Sequence, residues 1–506
     1  MQLNKFIRYS VLLMGLSLCS ISCEDYLDVN LSPNAVQDAP IEQLLTSTTV
    51  SIGFFAGSDL HRYSSLLAQQ FSGQGPGATT QNQEFDRYNI QGSDLNNVWN
   101  FSYATILSDL ELIIQKAGLE KSPHYAGVAK VLKAYMFQLM VDAWGKVPYT
   151  EALKFTSNTA PGYDEGEAIY SDLDELLTQA ITEMNEAASV KSPGTNSTIF
   201  TGAFSASKPK WIKLANTLKL RMYLHLSKKD RAGTVQKITT LVNSGALFFE
   251  ANADNFQMSF INEARRQNPI HQFELDRVNQ FFPAATLVDL MNTRNDPRRP
   301  RYFTPFPFTR PFETASFAGA KTGDAPSFKY SRLHTYLRGD TTNANAVVAQ
   351  ADGSIANSAY TYTGIAPIRM LTFAEYNFIR AEAAIYGAPG TAETFYQDGI
   401  RASMQAAGVP TGQIDAYITA NGSLTGTDSD KVRQIIEEKF VANYGVIMEP
   451  WTDWRRTGFP AITFPVNALT TFTPRSLFYP QSEIDLNPNA PAQKIDMSER
   501  VFWDVQ

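Results

Sequence analysis

The sequence predicts a mainly α-helical protein in which paired helices support a less regular, aromatic-rich lobe. Two observations carry this reading. Several long stretches keep apolar residues at three- and four-residue spacing between recognisable start and stop signals. Residues 247–336 do the opposite: sixteen of those 90 positions are aromatic, set among prolines and glycines with no sustained period. A long irregular stretch in a helical body is uncommon unless it carries function, so the lobe reads as a binding region, with dense loop packing as the plain alternative.

The elements follow in chain order. Lys5 and Arg8 precede a mostly apolar run, Val11 to Ile21, and Ser20-Ile21-Ser22 places small residues ahead of Cys23. This is the layout of a lipoprotein signal peptide over residues 1–22, too short to span a bilayer, with Cys23 acylated as the mature N-terminus. An ordinary secreted protein with an incidental cysteine is the alternative. Residues 23–40 read as a lipidated leash, broken by Asn30, Ser32, Pro33, Asn34 and Pro40. Residues 41–506 form a single domain: repeat helices over 41–246, the irregular lobe over 247–365, then further repeat helices and a tail over 366–506.

Within that domain, Trp99, Tyr103, Ile106, Leu110 and Ile113 make one helical stripe, read as core. Ser122-Pro123 starts a helix whose apolar positions run from Tyr125 to Ala143 and stop at Gly145. Residues 166–188 supply its partner, and 209–226 repeat the device around Trp211, Leu214, Leu218 and Met222. Later, Thr372 and Glu375 spell a capping box before a helix that ends at Gly387. Another runs from Ala392 to Gly408, and one more over about 430–444. Two antiparallel helices with a short turn and small residues at their contact resemble a tetratricopeptide unit.

Composition narrows the function. Of two cysteines, Cys19 lies in the leader and Cys23 takes the lipid, which excludes disulfides, thiol catalysis and cysteine–metal sites. A formal charge of −7 with no basic block argues against nucleic acid. Beyond the leader no apolar run approaches 18 residues, so the membrane is reached through the lipid anchor only. No HExxH, GxSxG or phosphate-loop motif occurs, and five scattered histidines lack ligand spacing; no metal or cofactor is expected. Fifty acidic residues leave a glycosidase-like carboxylate pair open, because that geometry is set in space.

A resemblance emerges from segments taken together. Cys23-Glu24-Asp25-Tyr26-Leu27-Asp28-Val29-Asn30 with Pro33-Asn34 resembles the mature start of SusD/RagB-type outer-membrane lipoproteins of Bacteroidetes. Asp142 to Tyr149 with Glu151-Ala152 is similar to that family's turn after an early repeat helix. Asn295-Asp296-Pro297-Arg298 with Tyr302-Phe303 resembles a segment of the SusD-like branch. Trp454 to Pro460, then Arg475 to Pro480 with Glu483 and Asn487, complete the pattern. The resemblance implies tetratricopeptide-like units, a surface role in capturing glycan or another oligomeric nutrient, and service as a hinged lid on a SusC-type TonB-dependent transporter. It also implies that Glu24 and Asp25 form the surface-export signal after Cys23. Alternatives of another class are a transporter-gating subunit with little ligand affinity and a surface glycoside hydrolase.

Sugar capture needs ring faces against C–H surfaces, with amides and guanidiniums for hydroxyl groups. Two segments supply that mixture. The first holds Gln69, Gln70, Phe71, the Gly73–Gly77 loop, Phe85, Arg87, Tyr88 and Asn89; the second holds Asp276, Arg277, Asn279, Gln280, Phe281 and Phe282. Packing is the competing reading for each. For Trp451, Trp454 and Arg455-Arg456 packing of the C-terminal segment is favoured, and for Asp296 and Arg298 a pinned turn.

Overall fold

The computed structural model describes residues 39–73, 80–325, 327–356 and 359–506. The leader, Cys23, Glu24, Asp25 and nearly all of the leash lie outside the described residues, as do four of the five positions of the Gly73–Gly77 loop. The chain divides into Met1–Pro40 and a compact unit, Ile41–Gln506, to which the description applies.

That unit begins with α1 (Ile41–Phe55), α2 (Asp59–Leu67), β1 (Phe71–Ser72) and α3 (Gln81–Asp86). Next, α4 (Asn96–Asn100) runs without a break through a π-helical stretch, Phe101–Leu107, into α5 (Ser108–Leu119). Long helices follow: α6 (Pro123–Trp144), α7 (Gly166–Asn185), α8 (Phe204–His225) and α9 (Arg231–Asn243). The lobe contributes β2 (Phe256–Met258), α10 (Pro269–Asp276), β3 (Phe282–Pro283), α11 (Ala285–Thr293), α12 (Arg299–Tyr302) and α13 (Thr335–Arg338). After it come β4 (Ile368–Leu371), α14 (Phe373–Ile385), α15 (Ala392–Ala406), α16 (Thr411–Asn421), α17 (Asp428–Ala442), α18 (Glu449–Thr457) and α19 (Gln481–Leu486). Among the described residues the strands form two antiparallel pairs, β1–β3 and β2–β4. No described helix is long and apolar enough to cross a membrane.

Helix ends match the start and stop residues, with instructive exceptions. Pro123 opens α6 and Gly145, at φ 85°, closes it in a conformation glycine adopts freely. Ser122 does not cap that helix by its hydroxyl, which instead accepts from the Lys191 amide at 3.1 Å. Pro209 does not begin its helix: α8 starts at Phe204, so the proline lies in the second turn and removes the N–H that would bond to the Ser205 carbonyl. The capping box at Thr372 is half made. Its hydroxyl accepts from the Glu375 amide at 3.1 Å, but the Glu375 carboxylate is taken by Arg221. The stretch read as irregular holds the short helices α10 and α11, too brief to leave a sustained period.

Helices pack in pairs through small residues. A Cβ on Gly127 of α6 would lie 2.7 Å from the Ala180 carbonyl of α7, and one on Gly399 of α15 would lie 2.8 Å from the Phe378 ring of α14. Where α8, α14, α17 and α18 meet, the core is ionic. Arg221 donates to both oxygens of Glu375 at 2.7 and 2.8 Å; Lys439 bridges Glu449 at 2.6 Å and Asp453 at 2.8 Å; Arg456 binds Asp453 at 2.9 Å and Glu382. Each of these side chains is buried, so the charges are viable only because every one has an opposite partner. The C-terminal tail packs on this body: Trp503 Nε1 donates to Asp142 at 2.8 Å, and the Arg455 guanidinium of α18 lies 4.7 Å from the Trp503 ring centroid.

Candidate ligand-binding face

The two segments singled out from sequence, about two hundred residues apart, are neighbours in space. Phe71 pairs with Pro283 and Ser72 with Phe282 in the β1–β3 ladder. The Asn82 amide donates to the Gln280 carbonyl at 3.0 Å, and the Phe71 and Phe281 rings lie 5.1 Å apart. Gly73 sits where only glycine fits, because a Cβ there would come 2.2 Å from the Asn82 carbonyl oxygen. Asp86 ties in a third stretch, accepting from the Ser72 hydroxyl at 2.9 Å and the Gly323 amide at 3.1 Å.

A fourth stretch, residues 463–469, lies outside both segments that the sequence singles out. Thr463 N–H donates to Gln69 Oε1 at 3.1 Å, Arg87 Nε to the Asn467 carbonyl at 3.0 Å, and Leu469 N–H to the Arg87 carbonyl at 2.9 Å. The Leu469 contact closes a backbone clasp around Arg87. Phe464 packs edge-on against Tyr88 at 5.8 Å and remains 44% exposed. The available sequence signal is an aromatic residue that follows the Trp454–Pro460 motif in a proline-broken run.

Gln69, Tyr88 and Asn279 all hold positive φ, at 56°, 65° and 66°. Asparagine tolerates this region, but for glutamine and tyrosine it is strained, and such strain concentrates at functional positions.

Burial revises the expectation for eight of the named residues, Gln69 and Asn279 among them. Gln70, Phe71, Phe85, Tyr88, Phe281 and Phe282 are core side chains and form the floor of the face. The Gln70 amide is fully engaged, donating to the Phe440 and Asn443 carbonyls and accepting from Gly445 N–H. Asn279 is also buried and receives Arg332 Nη1. The physical reason is that aromatic residues in an irregular segment serve equally as its private core and as a platform. Arg87, Asn89 and Gln280 are partly exposed and Arg277 is exposed, with its guanidinium 5.4 Å from the Phe273 ring centroid.

Beside Asn279 lies a small cavity lined by Glu274, Arg332, Arg338, Tyr360 and Tyr362. Burial pushes the Glu274 carboxyl up to about 7, although Arg338 and Arg332 pull the other way. Burial likewise lowers Arg332 to about 10. Exposed Phe328 and Val278 adjoin this region, and the Arg332 guanidinium lies 5.8 Å from the Phe328 ring centroid. Among the described residues no three histidine, cysteine or acidic side chains converge as metal ligands. Guanidinium, amide and ring groups on one face suit a neutral hydroxylated ligand.

Paired helices carrying a loop-built face define a class of helical scaffold with an irregular lobe. The chain belongs to the SusD-like family, whose model, described as "Starch-binding associating with outer membrane", matches residues 33–480. Solved structures agree in fold. A chitin-binding protein matches with a TM-score of 0.75 at 23% identity, covering 92% of this chain and 100% of its own. A chitin-binding SusD homolog from Flavobacterium johnsoniae gives 0.72 at 20% identity, covering 92% and 98%. A SusD homolog from Bacteroides uniformis gives 0.69 at 22%, covering 93% and 100%. Comparison with curated proteins gave no match.

Proposed function

We propose that the protein binds glycan at the cell surface without cleaving it and delivers it, as a hinged lid, to a SusC-type TonB-dependent transporter. Family membership supports the glycan and the outer membrane. The observation that carries the reading is the convergence of residues 69–73, 80–89, 277–282 and 463–469, which sets Phe464 and Arg87 beside Tyr88, and Gln280 against Asn82, on an aromatic floor. Lipid on Cys23, with Glu24 and Asp25 directing surface display, supplies the tether.

Calorimetry with maltoheptaose and chitohexaose tests the binding, with product analysis after long incubation. Binding of at least one oligomer is expected, with no cleaved product. Phe464→Ala should weaken it roughly tenfold, the scale of one lost ring contact of about 1–1.5 kcal/mol. Unchanged affinity in that variant removes the face from the site, and any cleaved product refutes a pure binder. Radiolabelled palmitate should enter the wild-type chain and not Cys23→Ser. Rigid cross-linking to the transporter in its open state should stop uptake; normal uptake refutes the lid.

A further inference from the structure

A second cleft, of about 670 Å³, lies on the helical body and shares no residue with the face described above. Its walls are α4 with the π-helical stretch, the turn around residues 148–161, and α19. This volume is within the range of small-molecule sites.

Several features of the backbone converge there. The π-helix Phe101–Leu107 forms part of one wall, and wide turns of this kind are frequent at functional sites. The Ser108 hydroxyl holds it open, donating to the Tyr103 carbonyl five residues back at 2.7 Å. Opposite, Leu153 and Phe155 both take left-handed φ, at 60° and 50°, a costly conformation for bulky side chains. Phe155 is left 45% exposed at the lip.

The chemistry of the lining selects the ligand. Asn97 and Asn100, three residues apart on one helical face, are both exposed, and among the described residues no group hydrogen-bonds either side-chain amide. Among the described residues no lysine or arginine lines the cleft. The one carboxylate among them, Glu483, is held in place through Oε2, which accepts from the Tyr163 hydroxyl at 2.9 Å and the Asn487 amide at 3.2 Å. Free amides able to donate and accept, an exposed ring and one carboxylate whose second oxygen can accept from a hydroxyl, with no lysine or arginine, suit hydroxyl groups on a neutral ring. We propose that this cleft is a second, independent binding site for a short neutral oligosaccharide.

The test uses the full mature chain carrying Phe464→Ala and Arg87→Ala, which disable the face, titrated with maltotriose and chitotriose by calorimetry. One trisaccharide should bind, and adding Phe155→Ser or the pair Asn97→Ala and Asn100→Ala should each weaken it at least tenfold with the thermal unfolding midpoint unchanged. Because these three side chains are exposed, loss of fold is not the expected cost. The inference is overturned if neither trisaccharide binds at millimolar concentration, if the cleft variants bind as before, or if a blocked neutral tripeptide displaces the sugar. The face fails separately, when Phe464→Ala leaves heptaose and hexaose binding intact.

Discussion

Arg298 shows how a sequence motif becomes a structural joint. Its side chain is fully buried and binds Asp296 through Nε at 2.9 Å, Glu438 of α17 at 2.8 Å and the Ser403 hydroxyl of α15 at 2.9 Å. Burial works to raise the Glu438 carboxyl, but Arg298 and Arg294 beside it hold it below the ordinary range. The expected pinned turn is therefore also a link between the lobe and two repeat helices, which Asn295-Asp296-Pro297-Arg298 alone does not reveal. Arg298→Ala leaves two buried carboxylates short of a cation and should cost about 3–5 kcal/mol in urea unfolding. A loss below about 1 kcal/mol would show that water reaches the joint.

At the scale of elements, the helix pairs are legible because their signals are local. Pro123, Gly145 and Thr372 sit beside the boundaries they set, whereas the sequence places the start of α8 too late because Pro209 resembles a first-turn residue. The face is only half legible. Its two segments are recognisable by chemistry, but which rings point inward depends on a ladder between residues 71–72 and 282–283, and no spacing in either segment encodes that. Helix contacts give a direct test. Gly127→Ala gains roughly 1 kcal/mol of helix propensity, yet its new methyl meets the Ala180 carbonyl and Met184. A net destabilisation of about 1–3 kcal/mol is expected by thermal or urea unfolding, and a stabilised variant would mean the pair can separate without cost.

For the molecule as a whole, buried histidines set the response to acid. Burial alone lowers His61 to about 3; burial first, then neighbouring arginines, lower His334 to about 3 and His271 to about 4. All three stay neutral in the folded chain while the unfolded chain takes up protons near 6.5. Their contribution is present above that pH and is lost as pH falls toward about 3–4. Glu274 and Glu375, both raised by burial, act in the opposite sense, with stability present below 4.5 and lost as pH rises through the folded value. The histidines prevail in number, so unfolding free energy should be lower at about pH 5 than at about pH 7.5. His61→Leu, which removes two ring nitrogens without hydrogen-bond partners among the described residues, should flatten that difference. An unchanged slope would show that His61 is hydrated.

The backbone clasp between Arg87 and residues 467–469 has a consequence for biogenesis. The arrangement around Arg87, made early in synthesis, stays incomplete until a stretch made 380 residues later arrives to finish it. A chain clipped or stalled before that point would lack the partner of Arg87 together with α19 and the Trp503 contact to Asp142, so a closed clasp doubles as a mark of completed synthesis.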